Sequence, residues 1–160
     1  LKNIELTVTD TRKNILKNLE DRFDKAGIKN YHSYPADLSV LSRLEGVRER
    51  PSFDLIIADV PCSGSGTWSR TPEQLHYFKK EHIYEYAALQ KKIVTNVAKA
   101  LKDKGYFLYI TCSVFKEENE ENVAFIQNEP GFELIERKYL KGCALTETPL
   151  FVALFTFSKK

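Results

Sequence analysis

The run Phe53-Asp54-Leu55-Ile56-Ile57-Ala58 leads straight into Asp59-Val60-Pro61-Cys62-Ser63-Gly64-Ser65-Gly66, and the reading of this junction decides the fold. Its first part is short, apolar and rich in isoleucine, the pattern of a strand buried on both faces. Its second part is broken by proline and glycine, so the strand ends in a loop that carries a carboxylate and a thiol. The layout recurs further along, where the buried strand Gly105-Tyr106-Phe107-Leu108-Tyr109-Ile110 runs into Thr111-Cys112-Ser113. Two thiols thus stand at the exits of two strands. In open α/β sheets that carboxyl edge is where ligands bind.

Outward from this core, Ile4 to Thr9 alternates and is β-rich, which predicts a strand ending at Asp10. From Thr11 the period turns helical, with Ile15, Leu16, Leu19, Phe23 and Ala26 on one face and Gly27 as C-terminal cap. Tyr31 to Tyr34 reads as a strand closed by Pro35-Ala36-Asp37, and Leu38 to Val47 as a short helix or loop. Past the central loop lies a basic, aromatic segment from Trp68 to Tyr84. A strong helix follows, with Tyr86, Leu89, Ile93, Val94, Val97 and Leu101 on one stripe. Glu117 to Gln127 reads as a helix with an acidic first turn, which suits the helix dipole. Pro130-Gly131 breaks it, and Phe132 to Tyr139 and Leu150 to Phe157 are the last two strands. The order β-α-β-(α)-β-α-β-α-β-β predicts an α/β fold, a Rossmann-like and mostly parallel sheet covered by helices on both faces. The closing β-β step predicts an antiparallel hairpin at one edge, and one domain over residues 1–160.

The bulk numbers agree with such a domain. The chain has 160 residues, 42% apolar and 29% charged, with a net charge of only +2. Overall charge therefore makes no case for nucleic acid or membrane, and clusters such as Arg43, Arg48 and Arg50 read as solvated faces. No apolar run approaches the roughly 18 residues of a membrane span, and no signal peptide is legible. Three cysteines, an odd number, argue for a reducing compartment and against a disulfide scaffold, so a cytoplasmic protein is expected. No Cys or His spacing suggests a metal site. Asp10, Asp37 and Asp59 each stand just past a strand, as Cys62 and Cys112 do. Taken singly, such an Asp is an N-cap or turn former and such a Cys a small buried filler. Taken together, three carboxylates and two thiols on one rim suggest a site.

At this point the residues resemble a known family. Asp59-Val60-Pro61-Cys62-Ser63-Gly64-Ser65-Gly66 is similar to motif IV of the NOL/NOP/Sun (RsmB-like) RNA cytosine-5 methyltransferases. Tyr109-Ile110-Thr111-Cys112-Ser113-Val114, with Glu117-Glu118-Asn119-Glu120-Glu121-Asn122 after it, resembles their motif VI. Tyr86-Ala87-Ala88-Leu89-Gln90 resembles their linking helix, and the likeness extends from Asp10 to the C-terminus. It implies that Cys112 is the nucleophile that attacks C6 of cytosine, with S-adenosylmethionine as methyl donor. Cys62 would then help release the product by allowing loss of the C5 proton. Asp59 would contact the base and lie near the reactive end of the cofactor. Asp10 corresponds to the acid that holds the cofactor's ribose, and Asp37 to the acid near its adenine. The substrate would be RNA, ribosomal in preference to transfer RNA.

Chemistry supports these residue types independently of the family. Cytosine C5 is a poor nucleophile until a soft thiolate adds at C6, which a serine would not do. Ribose hydroxyls call for a carboxylate acceptor. Gly64 and Gly66 permit positive φ and close backbone approach to the target, or form a flexible turn. Trp68, Arg70, His76, Tyr77, Lys79 and Lys80 could stack on bases and hold phosphate, or form an ordinary solvated helix. Cys143 receives no role, and solvated histidine is the reading for His32, His76 and His82.

The sequence departs from the family in two respects, since the family's motif I and its N-terminal RNA-binding extension are both missing. Nothing before Asp10 resembles motif I, the first strand and its Gly-rich loop, so the chain reads as the part of a catalytic domain from the second strand onward. The missing segment would leave exposed strand edges, which another segment or chain, or self-association into an oligomer, could cover. Three other readings stand beside the leading one. An amino-methyltransferase would want a second proline and an aromatic ring after Asp59 and would leave Cys112 idle. A non-catalytic RNA-binding or scaffold domain would not need both cysteine motifs. A redox pair of Cys62 and Cys112 lacks the CxxC pattern. The absence of motif I predicts that the 160-residue chain alone binds S-adenosylmethionine poorly or not at all. Calorimetric titration checks this, and clear binding heat would contradict it.

Overall fold

The computed structural model describes residues 4–40, 52–140 and 149–159. The basic cluster Arg43, Arg48 and Arg50, most of the Leu38 to Val47 segment, and Gly142 with Cys143 lie outside the described residues. The chain divides into two compact units, Leu1–Leu38 and Ser39–Lys160.

In the first unit β1 (Leu6–Asp10) is followed by α1 (Lys13–Lys25) and β2 (Tyr31–Pro35), and the two strands pair in parallel with Asp10 opposite Pro35. The helix stops where the sequence says it should. Gly27 adopts φ +70, the Ile28 N–H donates to the Phe23 carbonyl at 2.9 Å, and the Gly27 N–H donates to Asp24 at 3.1 Å. This doubly bonded closure needs a left-handed residue at Gly27. Of the expected apolar face of α1, Leu16 is buried while Ile15 is 36% exposed.

The second unit holds β3 (Phe53–Asp59), a 3-10 turn (Ser65–Thr67), α2 (Glu73–Tyr77), α3 (Glu81–Ala98), β4 (Leu101–Thr111), α4 (Glu120–Asn128), β5 (Phe132–Leu140) and β6 (Leu150–Phe157). Its sheet runs β3-β4-β6-β5. β3 and β4 are parallel, and β6 is antiparallel to both its neighbours, so the expected hairpin closes one edge. Period-two burial along β6 puts Phe151, Ala153 and Phe155 in the core. Across the ladder Phe107 faces Phe155 and Tyr109 faces Ala153, a large side chain opposite a small one. Phe107 also meets Phe132 edge-on at 5.6 Å between ring centroids. Among the described residues β1 pairs only with β2 and β3 only with β4, so each keeps one open edge. On β3, Leu55 and Ile57 are exposed.

Three boundaries differ from the sequence reading, each for a physical reason. Leu101 is not the end of a helical stripe but the first residue of β4, fully buried opposite Phe53. The buried stripe of α3 is Ile83, Ala87, Gln90, Val94 and Val97, rotated from the expected face so that the polar Gln90 points inward. The last helix starts at Glu120 rather than Glu117, because Lys116 to Asn119 form turns that carry Glu118 into the interior. Replacing Phe155 by Ala should cost about 3–5 kcal/mol, the range for a buried aromatic whose cavity cannot collapse. Denaturant unfolding measures it, and a loss under about 1 kcal/mol would contradict the placement of the core on β6.

Candidate active site

Parallel pairing of β3 and β4 sets Asp59 opposite Ile110, and the Val60 N–H donates to the Ile110 carbonyl at 3.2 Å. The two strands therefore release their loops side by side. The Gly66 N–H then donates to the Cys112 carbonyl at 2.8 Å. A Cβ at Gly66 would stand 2.7 Å from that carbonyl oxygen, so only glycine fits there. The close approach expected of this glycine is thus to the other cysteine's backbone. Gly64 supplies the positive φ, at +68.

This geometry brings Cys62 Sγ to 3.3 Å from Cys112 Sγ. That is a hydrogen-bond distance, well beyond the roughly 2.05 Å of a disulfide, and both thiols are free. At this distance one S–H can donate to the other sulfur. The Cys62 S–H holds the Cys112 thiol down at about 7, against burial and the negative Asp59 and Glu118, which push it up. The same contact raises the Cys62 thiol, with burial and the charge on Cys112 adding to the rise. Cys112 is therefore the thiolate of the two and Cys62 its proton donor. Asp59 sits exposed at the rim with no hydrogen-bond partner among the described residues, and partial desolvation raises its carboxyl above the usual range.

Beneath the sulfurs lies a buried polar network that the sequence reading did not find. Glu118 is fully buried. Its Oε1 accepts from the Ser63 N–H at 2.8 Å and from Gln90 Nε2 at 3.0 Å, and its Oε2 accepts from the Ser63 and Ser113 hydroxyls at 2.5 Å each. Gln90 Nε2 also donates to the Pro61 carbonyl at 2.9 Å, and Gln90 Oε1 accepts from Asn122 Nδ2 at 2.6 Å. The Ser65 hydroxyl accepts from the Val114 N–H at 2.9 Å, and the Tyr109 hydroxyl lies 2.7 Å from the Glu118 carbonyl. Asn119 Oδ1 accepts from the Thr111 hydroxyl at 2.5 Å. One signal was available in the sequence: Asn119, Asn122 and Ile126 recur at helical spacing, so these polar residues share the inward face with an apolar one.

In the first unit, Asp10 ends β1 and Asp37 follows β2. Asp10 Oδ1 accepts from the Arg12 N–H at 2.8 Å and from Arg12 Nε at 3.1 Å, and the guanidinium reaches Oδ2 at 3.0 Å. This fork holds the Asp10 carboxyl below its ordinary value. In the second unit, Trp68 does not stand free for stacking. It packs on Phe78 at 4.6 Å and on Phe115 at 5.9 Å, while Arg70, His76, Tyr77, Lys79 and Lys80 are exposed. Among the described residues no group of three His, Cys, Asp or Glu could hold a metal ion, and no helix is long and apolar enough to cross a membrane.

The sulfur pair makes a direct prediction. Alkylation of Cys112 by iodoacetamide should rise with pH through a midpoint of about 7. Cys62→Ala removes the S–H donor and should move that midpoint up toward the ordinary thiol value of about 8.5. Peptide-resolved mass spectrometry reads the rate, and an unmoved midpoint would contradict the shared proton.

The family model for 16S rRNA methyltransferase RsmB/F matches residues 2–152. The probable ribosomal RNA small subunit methyltransferase B of Bacillus subtilis (strain 168) is 32% identical over 130 residues, 80% of this chain and 28% of that protein. The ribosomal RNA small subunit methyltransferase F of Vibrio vulnificus is 33% identical over 107 residues, 66% of this chain and 22% of that protein. The chain thus spans less than a third of the length of either relative. Among solved structures, NSun6 from Pyrococcus horikoshii with SFG superposes at a TM-score of 0.78 with 25% identity, covering 98% of this chain and 42% of that one. The N-methyltransferase NodS from Bradyrhizobium japonicum, at 14% identity and a TM-score of 0.63, shares the Rossmann-like methyltransferase fold. By its match over nearly the whole length, the chain belongs to the 16S rRNA methyltransferase RsmB/F family.

Proposed function

We propose that this chain carries the reacting groups of an S-adenosylmethionine-dependent methyltransferase that modifies C5 of cytosine in RNA, ribosomal rather than transfer RNA, in the cytoplasm. The observation that carries the proposal is the sulfur pair at 3.3 Å, with Cys112 as thiolate and Cys62 as its proton donor. The names of the relatives, which are ribosomal RNA methyltransferases, support the substrate class.

The chemistry follows from the pair. The Cys112 thiolate adds to C6 of the base, forming a C–S bond and moving the ring electron pair to C5. When bound, S-adenosylmethionine supplies the methyl group that this electron pair takes up. Once its sulfur is bonded to carbon, Cys112 no longer carries the negative charge that kept Cys62 protonated. Cys62 can then release its own proton to solvent, and its thiolate takes the proton from C5. Loss of that proton restores the C5–C6 double bond and expels Cys112 as thiolate, closing the cycle. Asp59, exposed beside the pair and raised by desolvation, is placed to hydrogen-bond the base as charge develops on it.

For the cofactor, the donor set fits. Asp10 is a half-buried strand-end carboxylate oriented by Arg12, and it would accept from a ribose hydroxyl. Asp37, following the neighbouring parallel strand, would serve the adenine side. The expected result is a covalent protein–RNA band on a denaturing gel when the full-length enzyme carrying Cys62→Ala meets its RNA and the methyl donor. Adding Cys112→Ala should abolish the band. RNA binding without any band would contradict the covalent route and favour a non-catalytic RNA-binding domain.

A further inference from the structure

Among the described residues one carboxylate is fully buried, Glu118, and the proposed reaction does not use it. No cation pairs with it among the described residues, and each of its oxygens accepts two hydrogen bonds, so all its acceptor sites are met by donors. Those donors come from three separate segments. Ser63 follows Cys62 in the loop after β3, Ser113 follows Cys112 in the loop after β4, and Gln90 projects from α3 while also gripping the carbonyl of Pro61, the residue before Cys62. A carboxylate so placed clamps the backbone on both sides of Cys62 to the residue beside Cys112. A neutral side chain could not accept all four bonds, and leaving buried donors unmet is costly.

We propose that Glu118 is the positioning residue of the sulfur pair: its carboxylate fixes the two cysteine loops against each other and so keeps Cys62 Sγ within hydrogen-bond reach of Cys112 Sγ. The inference deepens the proposed function and rests on it only for the use to which the pair is put. Three titratable groups face Cys112, namely Cys62, Asp59 and Glu118. The Cys62 hydrogen bond has the largest effect on Cys112 and lowers it, while the Glu118 charge has the smallest and raises it. The two possible roles of Glu118 therefore move Cys112 in opposite directions.

The test is the pH profile of Cys112 alkylation by iodoacetamide in the full chain, resolved by peptide mass spectrometry, with circular dichroism confirming the fold. If Glu118 positions Cys62, Glu118→Gln raises the midpoint from about 7 toward the ordinary thiol value of about 8.5. Combining it with Cys62→Ala then gives a midpoint no higher than Cys62→Ala alone, because both changes act through one contact. If Glu118 acts only through its charge, Glu118→Gln lowers the midpoint, and if it only supports the fold the midpoint stays put. Either result overturns the proposal. Should Glu118→Gln fail to fold, Glu118→Asp keeps the charge but shortens the reach. A raised midpoint there supports positioning, and an unmoved one overturns it. The readout needs no RNA, so a failure here is distinct from a failure to trap the RNA adduct.

Discussion

A carboxylate sealed from water must have its acceptor sites filled, and in this protein that requirement falls on Glu118. No cation is available to it among the described residues, so four neutral donors meet it instead. Meeting that demand draws the Ser63 backbone, two serine hydroxyls and the Gln90 amide to one point. The loops that bear the cysteines have no freedom to part without stranding one of these groups. Tyr109, Asn119 and Asn122 extend the network down to β4 and α4, so the site is anchored to the layer beneath it rather than to loop conformation alone.

The sheet supplies the other half of the constraint. Parallel pairing of β3 with β4 sends both chains out at the same edge, and the tight passage of Gly66 over the Cys112 carbonyl locks the first loop onto the second. β6, antiparallel and packed with phenylalanine, holds β4 from its far side. Sulfur chemistry follows from sulfur distance. At 3.3 Å one thiol can donate to the other's thiolate, and that hydrogen bond together with desolvation keeps both sulfurs from ionising at once. In the proposed reaction, a nucleophile ready near neutral pH and a proton acceptor that becomes available only after attack would be two states of one contact.

Much of this was legible in the sequence, and what was not has physical causes. The apolar runs at Phe53 and Gly105 announced their strands, and Gly27 and Pro130-Gly131 marked helix ends, because these signals are local. The two cysteine motifs marked the candidate site because their residues sit at strand exits. Glu118 was hidden. In the run Glu117-Glu118-Asn119-Glu120-Glu121-Asn122 an acidic residue reads as the solvated first turn of a helix, and composition cannot tell a buried carboxylate from an exposed one. Only its donors reveal it, and they lie between 5 and 55 residues away in the chain. Gln90 was missed for the same reason, since a polar residue on an apolar stripe is legible only when its partners are known. The role of Trp68 also depended on distant residues, because Phe115, on which it packs, belongs to the loop after β4.

The measurement that bears most directly on this account is an NMR titration of the protein with isotope-labelled cysteine, following the β-carbon shifts of Cys62 and Cys112 as pH rises. The account predicts that Cys112 ionises with a midpoint of about 7 while Cys62 keeps its proton throughout the accessible range. Two independent titrations near the ordinary thiol value, or ionisation of Cys62 first, would contradict it.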